Sequence, residues 1–146
     1  MYASPAFSSG PFAGRAAVAS NAYARVGVET SVEGADPHRL VALLFDGLLE
    51  SVAQARGAIR ERRVEAKVRA IARALRIVEE GLRAGLNLRE GGSLARDLDA
   101  LYTYLAQRLA LANLHNDDAM LDECARLVEP LRSAWAAIAP GREAAA

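Results

Sequence analysis

At 146 residues the chain has the length of a single domain, enough to bury a core without disulfides or metals. Eighteen basic against eighteen acidic side chains give a formal net charge of zero, which argues against a general binder of nucleic acid or membrane surfaces. With 32 Ala and 19 Leu among strong helix formers, the expected class is all-α.

Residues 1–35 differ from everything after them. They mix Pro5, Pro11, four glycines and five serines with scattered Tyr2, Phe7, Phe12 and Tyr23, and the first fifteen show no helical or strand period. This composition predicts a flexible N-terminal tail or arm. Asp36-Pro37 then opens a helix, with Asp as cap and Pro at a position that loses no hydrogen bond. Val41, Leu44, Phe45, Leu48, Val52, Ala55 and Ile59 form its apolar stripe. A second helix is expected over residues 64–87, with Val64, Val68, Ile71, Leu75, Val78, Leu82 and Leu86 facing the core. Gly91-Gly92 marks a loop and Ser93 a cap for a third helix, which carries Leu94, Leu98, Leu101, Tyr102, Leu105 and Leu109. Asn116-Asp117-Asp118 breaks and recaps the chain. The fourth helix presents Met120, Cys124, Leu127, Val128, Leu131, Trp135 and Ile138, and stops before Pro140-Gly141. Pro130 inside it costs on the order of 3 kcal/mol and predicts a bend near residue 127. Four helices with short links predict an antiparallel, up-down-up-down four-helix bundle over residues 36–140, followed by a disordered end at 141–146.

The residues that could carry chemistry do not assemble into a site. A bundle of this kind can hold two irons through Glu-x-x-His pairs, but Ala35 and Ala112 stand where the acids would be. Cys124 is the only cysteine, so the chain has no internal disulfide, which fits a reducing, cytosolic compartment. Cys124 also falls on an apolar stripe, as a small hydrophobe does. No Lys-Ser/Thr follows Gly91-Gly92, so no phosphate loop forms. Asp117, Asp118, Asp122 and Glu123 suit a helix N-terminus. No apolar run reaches the roughly 18 residues of a membrane span, and the N-terminus lacks the apolar stretch of a signal peptide. The expectation is no enzyme, no cofactor and no metal.

Two features remain. Residues 56–76 hold eight bases against Glu61 and Glu65, a local net of +6, while residues 90–129 hold eight acids against three arginines. The basic run reads either as a solvated surface or as an anion or RNA patch, although it lacks the interleaved aromatics of the latter. The second feature is a surplus of apolar residues off the core stripes. Leu43 and Leu49 lie off it on helix one, and Tyr104 and Leu111 on helix three. On helix two Ile77 does so, among Ala70, Ala74, Gly81 and Ala84. Such residues are either scattered surface apolars, or they line a groove for a partner's amphipathic helix.

Together the motifs resemble the FliS family of flagellar secretion chaperones. The likeness begins at Tyr23-Ala24-Arg25-Val26-Gly27-Val28 and at Asp36-Pro37-His38-Arg39-Leu40, followed by Leu44-Phe45-Asp46-Gly47-Leu48. It continues through Gly91-Gly92-Ser93-Leu94-Ala95, Leu98, Leu101-Tyr102, Tyr104, Arg108-Leu109, Ala112-Asn113 and Asp117, and closes at Leu131-Arg132 and Ala134-Trp135. It covers about residues 20–139. Phe45 departs from the family's Tyr, Asp36 from its usual Ser, and Pro130 is unexpected.

The resemblance implies a cytosolic chaperone that binds the disordered C-terminal segment of flagellin one to one. The segment becomes helical along the chaperone, premature polymerisation is prevented, and the complex is presented to the flagellar type III export gate. It leaves other flagellar regulators open as partners. It also implies that the N-terminal arm, at Tyr23 and Val28, covers part of the binding surface, with Tyr23 alternatively stapling helix one. Asp46-Gly47 reads as structural or as motif, Asn113 as a turn former or a contact, and Trp135 as core. The residues expected to bind flagellin are Tyr23, Val28, Leu43, Ile77, Tyr104 and Leu111. The competing reading is a self-associating structural bundle with no client.

Overall fold

The computed structural model describes residues 36–139, which form four helices and no strand. Helix α1 spans Pro37–Arg60. Helix α2 spans Val64–Arg76 and runs on as a π-helical stretch over Ile77–Arg83. Helices α3 and α4 span Gly92–His115 and Asp118–Ala137. The segments predicted as arm and tail, with Tyr23 and Val28, lie outside the described residues.

The helix ends follow from local chemistry. The Asp36 carboxylate accepts the Arg39 amide at 2.7 Å, and Pro37 occupies the first turn, where its missing donor costs nothing. Helix α1 ends with the Arg63 amide donating to the Ala58 carbonyl at 2.8 Å and the Arg62 amide to the Ile59 carbonyl at 3.1 Å. That double closure forces Arg62 into the left-handed region, φ 59°, where glycine is the usual residue. The link before α3 turns on Asn87, whose side chain accepts the Glu90 amide at 3.0 Å and whose carbonyl accepts the Gly91 amide at 2.7 Å. A Cβ at Gly91 would sit 2.6 Å from that carbonyl and 2.5 Å from the Ala95 Cβ, so only glycine passes. Helix α3 therefore starts at Gly92, and Ser93 is not its cap, contrary to the sequence expectation. Asp117 does cap α4, accepting the Ala119 and Met120 amides at 3.0 and 3.3 Å. Pro130 leaves α4 continuous to Ala137. Both Pro130 and Arg126, whose carbonyl loses its helical partner, are exposed, so the proline lies on the solvent side of the helix, where losing that bond costs least.

Consecutive helices are neighbours, and α4 returns to α1, so the four close a ring around one core. Leu44, Leu48, Val52, Ile71, Ile77, Val78, Leu105, Leu109, Leu121 and Val128 are all at most 1% exposed. The start of α1 is clamped to the end of α4 by reciprocal bonds. His38 Nε2–H donates to the Trp135 carbonyl at 2.7 Å, Trp135 Nε1–H donates to the His38 carbonyl at 2.8 Å, and the rings stack at 4.6 Å. Arg132 donates to Asp46 at 2.7 Å, and Arg56 forks onto Asp118 at 2.7 and 3.0 Å while also reaching Asp122 at 2.9 Å. The Asp46 of the sequence motif is thus an interhelical ion-pair partner.

Helix α2 is rotated relative to the stripe assigned from sequence. Ile77, expected off the core, is 0% exposed, whereas Val64 and Val68, expected in it, are 64% and 43% exposed. Two causes combine. Gly47 on α1 lets α2 approach until a Cβ there would stand 3.3 Å from Ile77 Cδ1, so the small residues Ala70, Ala74 and Gly81 are core, not surface. The π stretch, with the Ala84 amide donating five residues back to the Glu79 carbonyl at 3.2 Å, widens the turn and buries Ile77, Val78, Gly81 and Leu82 together. Leu94, assigned to the core, is 67% exposed at the start of α3. Leu43 and Leu49 are half-buried, packed against the core cluster.

Candidate functional site

The rotation of α2 sends its spare apolar residues toward α3. Arg73 reaches α1, donating to Ser51 Oγ at 2.9 Å and to Glu50 at 3.2 Å, which fixes the side of α2 that faces α1. Val64, Val68 and the half-buried Leu75 share the opposite flank, along the seam with α3. That seam is pinned at both ends. Lys67 Nζ donates to the Asn113 carbonyl at 2.9 Å and to Asn116 Oδ1 at 2.6 Å, and Arg83 donates to Asp99 at 2.8 Å. The Asn113 carbonyl is thus engaged within the fold; its side-chain Oδ1 is buried without a partner among the described residues.

The outer face of α3 continues this strip. The exposed residues within 100–114 are Ala100, Tyr104, Gln107, Ala110, Leu111 and Leu114, and none is charged. A helix on a solvated surface normally carries charge there, so a face this bare is a candidate surface for a partner. Tyr104 and Leu111 are 39% and 38% exposed and Leu114 is 71% exposed, so two of the sequence candidates lie on this face. Ile77 and the half-buried Leu43 do not: Ile77 is core, and Leu43 is on α1, one turn before the Gly47 that faces Ile77. Sequence reasoning missed Val64, Val68 and Leu114, the first two because they complete an apolar stripe that the close α1–α2 approach turns outward.

Tyr104 is held in place. Its hydroxyl donates to Glu123 Oε2 at 2.5 Å, and Arg108 donates to Glu123 Oε1 at 2.8 Å with its guanidinium carbon 5.8 Å from the Tyr104 ring centre. The Tyr104 hydrogen bond, followed by Arg108, lowers the Glu123 carboxyl below its ordinary range, and the same bond to Glu123 raises the Tyr104 hydroxyl. The phenol therefore keeps its proton, and its ring stands at the α4 edge of the apolar face. The predicted basic run is not one surface: Arg56 and Arg73 are paired, and Lys67 is buried. Burial raises the Cys124 thiol to about 11, which leaves it unreactive at neutral pH. Among the described residues no helix is long and apolar enough to cross a membrane.

The chain matches the family profile described as flagellar protein FliS over residues 19–142. It is 40% identical to the flagellar secretion chaperone FliS of Salmonella typhimurium over 119 residues, 82% of this chain and 88% of the relative. It is 43% identical to the flagellar secretion chaperone FliSB of Pseudomonas aeruginosa over 113 residues, 77% of this chain and 89% of that one. The corresponding chaperone of Bacillus subtilis is 32% identical over 107 residues, covering 73% and 78% of the two chains.

Proposed function

The chain belongs to the FliS family of flagellar secretion chaperones, and from that premise we propose that its client is flagellin, bound one to one through the disordered C-terminal segment. The family is one of chaperones and not of enzymes. The observation that carries the proposal is the uncharged outer face of α3, continued across the seam by Val64 and Val68. An amphipathic client helix laid along it buries its own apolar side, which otherwise drives filament assembly in the cytosol. Ordering the client on binding offsets much of the contact energy, so a large interface stays releasable at the flagellar type III export gate. Tyr23 and Val28 of the N-terminal arm share in covering this surface in the proposal.

The test is titration calorimetry with a flagellin C-terminal fragment, read beside circular dichroism. We expect one-to-one binding with a gain of helix in the fragment. Val68→Asp and Leu111→Asp each should leave the melting temperature nearly unchanged and weaken binding by about 2 kcal/mol, roughly thirtyfold. Normal binding by both variants would move the client to another face. A dimer that dissociates in these variants, with no fragment bound, would make the face a self-association surface.

A further inference from the structure

One end of the apolar face closes in a recess of ≈ 360 Å³ lined by Ala58, Ile59, Arg62, Arg63, Val64, Lys67 and Asn116. Lys67 is the only lysine in the chain and is 6% exposed. A buried ammonium is ordinarily matched by a carboxylate. Here its recorded partners are two neutral oxygens, the Asn113 carbonyl and Asn116 Oδ1, which leave one of its three donors open. Arg62 beside it has no ion pair among the described residues and holds a left-handed backbone conformation that a glycine would take without strain. Arg63, at the N-cap of α2, offers no side-chain acceptor to the first amides of the helix, so the positive end of α2 is uncapped here. Glu61, 3.5 Å from the Arg63 guanidinium, and Glu65 in the first turn of α2 stand nearby without lining the recess, so Lys67 and Arg62 are its unmatched charges.

These groups make a binding place for one negative charge in a half-open recess. A chain terminus suits this place better than a side-chain carboxylate in mid-helix, because it can turn in toward Lys67 with no backbone that has to pass on. Val64 belongs both to the recess and to the apolar face, so a helix lying along Val68 and Leu111 and running toward Val64 would end at this place. We propose that the recess captures the C-terminal carboxylate of the client through Lys67, Arg62 and the N-terminus of α2. This rests on the reading that the client is a C-terminal segment, and it fixes that segment's direction along α2 and α3.

The experiment compares three forms of the flagellin C-terminal fragment: free acid, C-terminal amide, and free acid extended by several residues. We expect the amide and the extended form to bind at least tenfold more weakly than the free acid. Arg62→Gly relieves the left-handed backbone, so it should melt no lower than wild type, yet it should shrink the acid-to-amide ratio. Lys67→Met should shrink it further. Acid and amide bound equally well would overturn the carboxylate site while leaving the client reading intact. If no form binds, both fall. An unchanged acid-to-amide ratio in Arg62→Gly and in folded Lys67→Met would also overturn the assignment.

Discussion

The seat of Ile77 against Gly47 can be tested by moving one methyl group between two helices. A Cβ at Gly47 would stand 3.3 Å from Ile77 Cδ1 and 3.5 Å from an Arg73 guanidinium nitrogen, which is flexible enough to move aside. Gly47→Ala gains about 1 kcal/mol of helix propensity but presses on a packed side chain, so alone it should be neutral to mildly destabilising. Ile77→Val removes that same Cδ1 and should cost about 1 kcal/mol. In the double variant the new methyl fills the space of the lost one, and the propensity gain remains. We expect it to be at least as stable as wild type, with a favourable coupling of about 1 kcal/mol or more, or roughly 4–8 °C in melting temperature. The assay is a double-mutant cycle from urea and thermal melts. Additivity within about 0.5 kcal/mol would show that Ile77 does not pack on Gly47, and the rotation of α2 argued above would fail with it.

Arg56, through its hydrogen bond, holds the Asp118 carboxyl below its ordinary value, so this pair stabilises the fold above about pH 4 and the contribution is lost as pH falls through the depressed value. Arg56→Gln should therefore lose stability at pH 7 and show a shallower decline toward pH 3; parallel melting curves for the two proteins would contradict this. Cys124, raised to about 11 by burial, should resist thiol reagents at pH 8 until the protein unfolds, as followed by mass spectrometry. Raising salt from about 50 to 500 mM should weaken fragment binding less than tenfold, because apolar contact is unscreened and the single terminal charge is partly enclosed. A hundredfold loss in a calorimetric salt series would move the interface onto the exposed arginines.

How much of this was legible in the sequence depends on where the information lay. Asp36-Pro37 and Asp117 announced helix starts because capping is local chemistry, and the stripe of α1 was read correctly because large apolar residues dominate its buried face. Helix α2 was misread because its core face is built largely from alanine and glycine, which a hydropathy pattern scores as smooth surface. Ala70, Ala74 and Gly81 share the buried side with Ile77, which is seated against a glycine on another helix thirty residues away, and with a π turn that no propensity marks. The same displacement exposes Val64 and Val68 beside α3, so one packing event accounts for both the misplaced Ile77 and the missed part of the site. Lys67 followed the same logic. It looked like one base in a basic run, and only the approach of the α3 C-terminus, through the Asn113 carbonyl, turns it into a buried cation at the end of an apolar face. Where two helices touch decides which of their residues are left for a partner, and that contact is nonlocal.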